Sequence, residues 1–98
     1  MSSIRQLMKQ AQQMQDRLQR ELAETVVEAS VGGGMVTVKM NGHKLLESVK
    51  IDPEAIDPAD PGMLEDLLKA AVNEAARRVD ETMQGKMGSM AASLPGIF

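Results

Sequence analysis

The spacing of apolar residues changes at Thr25, and that change commits the chain to a helix followed by a sheet. Before it, Ile4, Leu7, Ala11, Met14 and Leu18 recur at alternating intervals of three and four, flanked by Met8 and Leu22 and uninterrupted by Gly or Pro. Such a period gathers them into a narrow seam along a helix predicted over residues 3–24. A seam of this width suits one partner helix better than burial in a wide core. After Thr25 the segments TVVEASV, MVTVKM and LLESVKI are rich in β-branched residues and are separated by GGG and NGHK. Strands are therefore expected at 25–31, 35–40 and 44–51. The short connections make these an antiparallel meander, with Asn41-Gly42 the stronger turn signal because both residues tolerate positive φ.

Three Asp-Pro pairs in DPEAIDPADPG disfavour helix before each proline and mark a connector. Asp60 is the expected N-cap of a second helix, with Pro61 at its first position. Leu64, Leu67, Leu68, Ala71, Val72, Ala75, Val79 and Met83 form its apolar stripe, broad near the start and narrower toward the end. That helix is predicted over residues 61–87, its first half lying on the sheet. Gly85 and Gly88 weaken it, and residues 89–98 read as a flexible C-terminal tail. The expectation is a single α+β domain over residues 1–88, with one sheet face covered by the second helix.

A chain of 98 residues buries a modest core, which makes an oligomer attractive. Cysteine is absent, excluding disulfides, thiol catalysis and Cys-ligated metals. No stretch approaches the roughly 20 apolar residues of a membrane span, and the N-terminus is polar where a secretory signal needs its apolar segment. A cytoplasmic protein is expected.

Catalytic groups do not converge. His43, the single histidine, falls in a turn, and no serine has a nucleophile's surroundings. An enzyme is not expected, nor a cofactor or small-molecule substrate. Asp52, Glu54, Asp57 and Asp60 lack calcium-loop spacing, and capping and turn roles account for them without a metal.

The net charge of -3 conceals an uneven distribution: Arg5, Lys9, Arg17 and Arg20 precede Glu21 with only Asp16 among them. Some cations have carboxylates three or four positions away: Arg17 with Glu21, Arg20 with Asp16 and Glu24, Lys69 with Glu65 and Asp66, Arg77 with Glu81, Arg78 with Glu74. Arg5, Lys9 and Lys86 have none. If the two helices run antiparallel, residues 5–9 approach residues 83–90 and these three cations gather at the end of a helical pair. Keeping a protruding helix soluble is the plainer role for them, and spacing favours neither. Phe98 is the single aromatic residue, so base-stacking readers of single strands are disfavoured and phosphate contact to a duplex remains.

Four motifs carry a family resemblance: LMKQAQQMQ, GGGMVTVKMNG, VKIDP and MLEDLLKAAVNEAARR. In that order, with LPGIF at the end, they closely resemble the bacterial YbaB/EbfC nucleoid-associated proteins over almost the whole chain. The resemblance implies an α+β fold, a tweezers-like homodimer joined largely through the sheet, and double-stranded DNA as the partner of its protruding helices. It further implies low sequence preference and a nucleoid location with effects on nucleoid organisation and transcription. Carried onto this chain it points to Arg5, Lys9, Arg17 and Arg20 on the first helix and Arg78 and Lys86 on the last as DNA contacts. Val36, Val38, Val49 and Ile51 would support the sheet and dimer. A protein-interaction adaptor is the rival, its Met-lined helices gripping a partner, for instance from DNA repair.

Overall fold

The computed structural model describes residues 2–92. Helix α1 (Ser2–Glu24) leads into strands β1 (Val26–Val31), β2 (Val36–Asn41) and β3 (Leu46–Ile51), then a short 3-10 turn at Pro53–Ala55 and helix α2 (Pro61–Ala92). The sheet is antiparallel in the order β1-β2-β3, as the alternating segments predict. Helix α2 continues through Gly85 and Gly88 to Ala92, beyond the predicted end at 87. Gly costs a helix only about 1 kcal/mol against Ala, and the flanking residues are good helix formers. The expected tail thus begins inside a helix, and its residues 93–98 lie outside the described residues.

Register fixes which side chains meet α2. Ala29 stands opposite Val38, which stands opposite Val49; one rung away Val31, Val36 and Ile51 align in the same way. These residues share a face because side chains alternate along each strand. Helix α2 supplies Ala71, Ala75 and Val79, one turn apart, and packs them with Ala29, Val36, Val38 and Met40 into the buried core. Small residues on that ridge let the helix sit close to the sheet. It lies over β1 and β2, leaving the core-side face of β3 open at Val49: Val36 and Val38 are fully buried and Ile51 is partly covered, while Val49 is 45% exposed. The stripe is not deepest at its start, since Leu64, Leu67 and Leu68 are only partly buried.

Both sheet turns depend on the left-handed region, in different ways. Gly32, Gly33 and Gly34 have φ of 64°, 67° and 96°, so each link of the β1–β2 turn needs glycine's freedom. At the β2–β3 turn the residue with positive φ is Lys44 (63°), and neither Asn41 nor Gly42 takes it. The Lys44 amide donates to the Asn41 carbonyl at 2.9 Å, while the Asn41 side-chain Oδ1 accepts from His43 at 2.9 Å and Leu45 at 3.2 Å. Asparagine therefore builds the turn by side-chain acceptance rather than by its own backbone angle.

The connector's acids do the capping work expected of them. Asp52 Oδ1 accepts from the Glu54 amide and Asp57 Oδ1 from the Ala59 amide, both at 2.9 Å. Asp60 Oδ1 accepts from Met63 at 3.3 Å and starts α2.

Candidate nucleic-acid interface

Helix α1 is an arm fixed at one end. Its last turn leaves carbonyls without intrahelical donors; the residue next after the helix satisfies one of them and the sheet's turn satisfies another. Thr25 gives Glu21 O both its amide, at 2.9 Å, and its hydroxyl, at 2.6 Å. The Gly42 amide donates to Leu22 O at 2.8 Å. Gly42 is required there for space: a Cβ would lie 2.6 Å from Leu22 O and 2.9 Å from Leu22 Cα. Beyond this base the arm is bare, with Ile4 58% and Leu7 65% exposed, and Met8, Met14 and Leu18 also open to solvent.

The arm has two unlike faces. At about 100° per residue, Arg5, Lys9, Arg17 and Arg20 fall on the side away from the Ile4 to Leu18 seam, and together they span about 22 Å of axis. All four are exposed. Among the described residues no carboxylate lies within 4.0 Å of any of them. Arg17 and Arg20 thus do not form the intrahelical pairs their spacing offers, and Lys69 does not pair with Glu65 or Asp66. An exposed pair gains little against the entropy of holding two long side chains together. The acids spaced to answer Arg17 and Arg20 therefore leave them unengaged, and among the described residues the basic face of α1 carries no ion pair.

The cations of α2 are engaged elsewhere. Arg77 bridges Glu74 and Glu81. Arg78 donates to Glu74 at 3.1 Å and to the Glu28 carbonyl on β1 at 2.7 Å. Hydrogen bonds from Arg77 and then Arg78 hold the Glu74 carboxyl down at about 2, against an ordinary 4.5, and the Arg77 guanidinium is held still more firmly charged than usual. Lys86 donates to Thr25 Oγ1 at 2.7 Å. It therefore sits at the base of the arm, whereas Arg5 lies about 30 Å farther along the α1 axis. The expected gathering of Arg5, Lys9 and Lys86 at one helical end does not occur within the chain, because α2 meets α1 at the root and does not run along its seam.

Of the sheet residues singled out from sequence, Val36 and Val38 belong to the core, Ile51 is partly covered, and Val49 is open. Sequence reasoning missed Lys44, whose Nζ pairs with Asp80 of α2 at 2.9 Å, and Thr25, which links both helices. Neither has a signal in helical spacing or turn composition, since each acts across elements. Among the described residues no helix is long and apolar enough to cross a membrane.

Comparison with known proteins adds a second line of observation. A sequence model of the YbaB/EbfC DNA-binding family matches residues 1–94. A nucleoid-associated protein of Koribacter versatilis (strain Ellin345) is 52% identical, the alignment covering 97% of this chain and 96% of that one. Another, from Chloroflexus aurantiacus (strain ATCC 29366 / DSM 635 / J-10-fl), is 47% identical over 96% of this chain and 97% of its own. The crystal structure of an uncharacterized protein from Helicobacter pylori has the same fold, with a TM-score of 0.73 at 24% identity, covering 93% of this chain and 96% of that one.

Proposed function

Because this chain belongs to the YbaB/EbfC DNA-binding family, we propose that it is a nucleoid-associated protein that binds double-stranded DNA with little sequence preference, as a homodimer whose α1 arms present cations to phosphates. The observation that carries this reading is the open basic face of α1, where Arg5, Lys9, Arg17 and Arg20 face solvent and, among the described residues, form no ion pair. Contacts of this kind position a protein on a duplex without reading its bases. A whole-chain charge of -3 is no obstacle, because screening limits a phosphate to the field within about 8 Å at physiological salt.

The homodimer is supported by what the isolated chain leaves uncovered. Leu45 just before β3, Leu46 and Val49 along it and Ile56 after the 3-10 turn are exposed apolar side chains, and a second copy is the occupant proposed for that surface. Two copies carry four arm cations each, which sets an expected slope of log K against log salt of roughly -7, from about -0.9 per phosphate neutralised. Fluorescence anisotropy with random and A-T-rich duplexes across a salt series tests the reading: similar affinities and a steep slope are expected. Coating of DNA in this manner is the basis proposed for a nucleoid location and an influence on transcription.

A further inference from the structure

Three contacts at one end of the body form a closed triangle between elements distant in sequence. The Gly42 amide of the β2–β3 turn bonds to Leu22 O of α1 at 2.8 Å. Lys44 of the same turn pairs with Asp80 of α2 at 2.9 Å. Lys86, farther along α2, closes the figure by donating to Thr25 Oγ1 at 2.7 Å. Thr25 is 8% exposed, and its hydroxyl donates a hydrogen bond to Glu21 O at 2.6 Å, so this one oxygen is donor to α1 and acceptor from α2. The ammonium of Lys86 also stands at the C-terminal end of α1, where helix carbonyls favour a cation.

We propose that Lys86 is a positioning residue, which fixes the direction in which the α1 arm leaves the body by bracing Thr25, and is not itself a phosphate contact. The proposal rests on the duplex-binding reading for its functional consequence but not for its structural one. An arm held only at its root needs bracing at the root, since a small change of angle there moves Arg5 by many ångströms at the far end. Gly42 ties the arm to the sheet, and Lys86 ties it to the other helix. With the second tie removed, arms pointing in the productive direction become a smaller share of the population, and apparent affinity falls in proportion to that share.

The test uses the full chain, whose lack of cysteine permits spin labels on single introduced cysteines in α1 (Gln12→Cys) and in β3 (Glu47→Cys), diluted with unlabelled chain. Lys86→Ala and Thr25→Val are compared with Thr25→Ser, which keeps the hydroxyl; neither Thr25 variant alters charge. Lys86→Ala and Thr25→Val are expected to broaden the arm-to-body distance distribution and weaken duplex binding about three- to tenfold, as when the competent fraction falls to between about a third and a tenth. The salt slope stays that of the parent, and Thr25→Ser behaves as the parent does. A slope reduced by about 1.8 in the Lys86→Ala dimer, at about 0.9 per lost contact, with unchanged distances would overturn the proposal. So would parent-like binding and distances in Thr25→Val. If the parent fails to bind duplex at all, the functional reading falls, while the distance distributions still decide whether Lys86 braces the arm.

Discussion

The amide of Gly42 lies 2.8 Å from the carbonyl oxygen of Leu22, and a β-carbon at position 42 would stand 2.6 Å from that same oxygen. One glycine thus both satisfies a helix-terminal carbonyl and permits the approach that lets it do so. Gly42→Ala must push α1 away from the turn, since the obstacle is backbone and cannot rotate aside. We expect a loss of about 2 kcal/mol, within the usual range for a backbone clash, read as a lower urea midpoint with an unchanged slope. A parent-like midpoint would mean that the contact is not a fixed part of the fold.

The Glu74 carboxyl is held at about 2 by the hydrogen-bonded Arg77 and Arg78. A depressed carboxylate contributes stability that is full above its unfolded value and is lost as pH falls from there through the folded value. The window here runs from about 4.5 down to about 2, and the effect is modest because Glu74 is only partly buried and both its arginine partners are exposed. Thermal unfolding at pH 7 and pH 3 should show a larger acid-induced drop for the parent than for Glu74→Gln. Equal drops would show that the cluster contributes nothing to acid sensitivity.

Arg5→Ala/Lys9→Ala should weaken binding to every duplex by a similar factor and reduce the salt slope by about 3.6, for two cations on each of two arms. Arg77→Ala should leave the slope unchanged, because that guanidinium already faces Glu74 and Glu81. Parallel anisotropy titrations at several salt concentrations make the comparison. An equal slope change in both variants would contradict the assignment of the interface to α1.

Val49 and Val38 pair across β2 and β3 yet should respond differently to substitution. Val49→Asp places a charge on the uncovered strand, and the expected result is a folded chain that sediments as a monomer while the parent sediments as a dimer. Val38→Ala removes buried volume from the core and should cost about 1 to 3 kcal/mol without changing the association state. Dimeric Val49→Asp would move the proposed interface away from β3.

The element order was legible in the sequence because apolar period reports it directly: three and four before Thr25, two after it, and three and four again beyond Asp60. Strand and helix starts fell within two residues for the same reason. The end of α2 did not, because two glycines lower helix stability without forbidding it. The basic face of α1 could be read, whereas which of its cations form ion pairs could not, since the spacing that permits an ion pair does not make one. The place of Lys86 was illegible. Its partner Thr25 lies 61 positions away, and no local pattern shows that α2 meets α1 at its root. The same limit hid the space Gly42 must leave, although Asn41-Gly42 was correctly read as a turn.

The central claim, that unpaired cations on the α1 arms bind duplex phosphates, is tested most directly by titrating the unaltered protein with a random-sequence duplex between about 50 and 200 mM salt, the range in which counterion release is readily resolved. The account predicts binding that weakens with a log-log slope of roughly -7, for eight cations at about -0.9 each. It also predicts equal behaviour on A-T-rich DNA. A slope near zero, or no binding at the lowest salt, would contradict it.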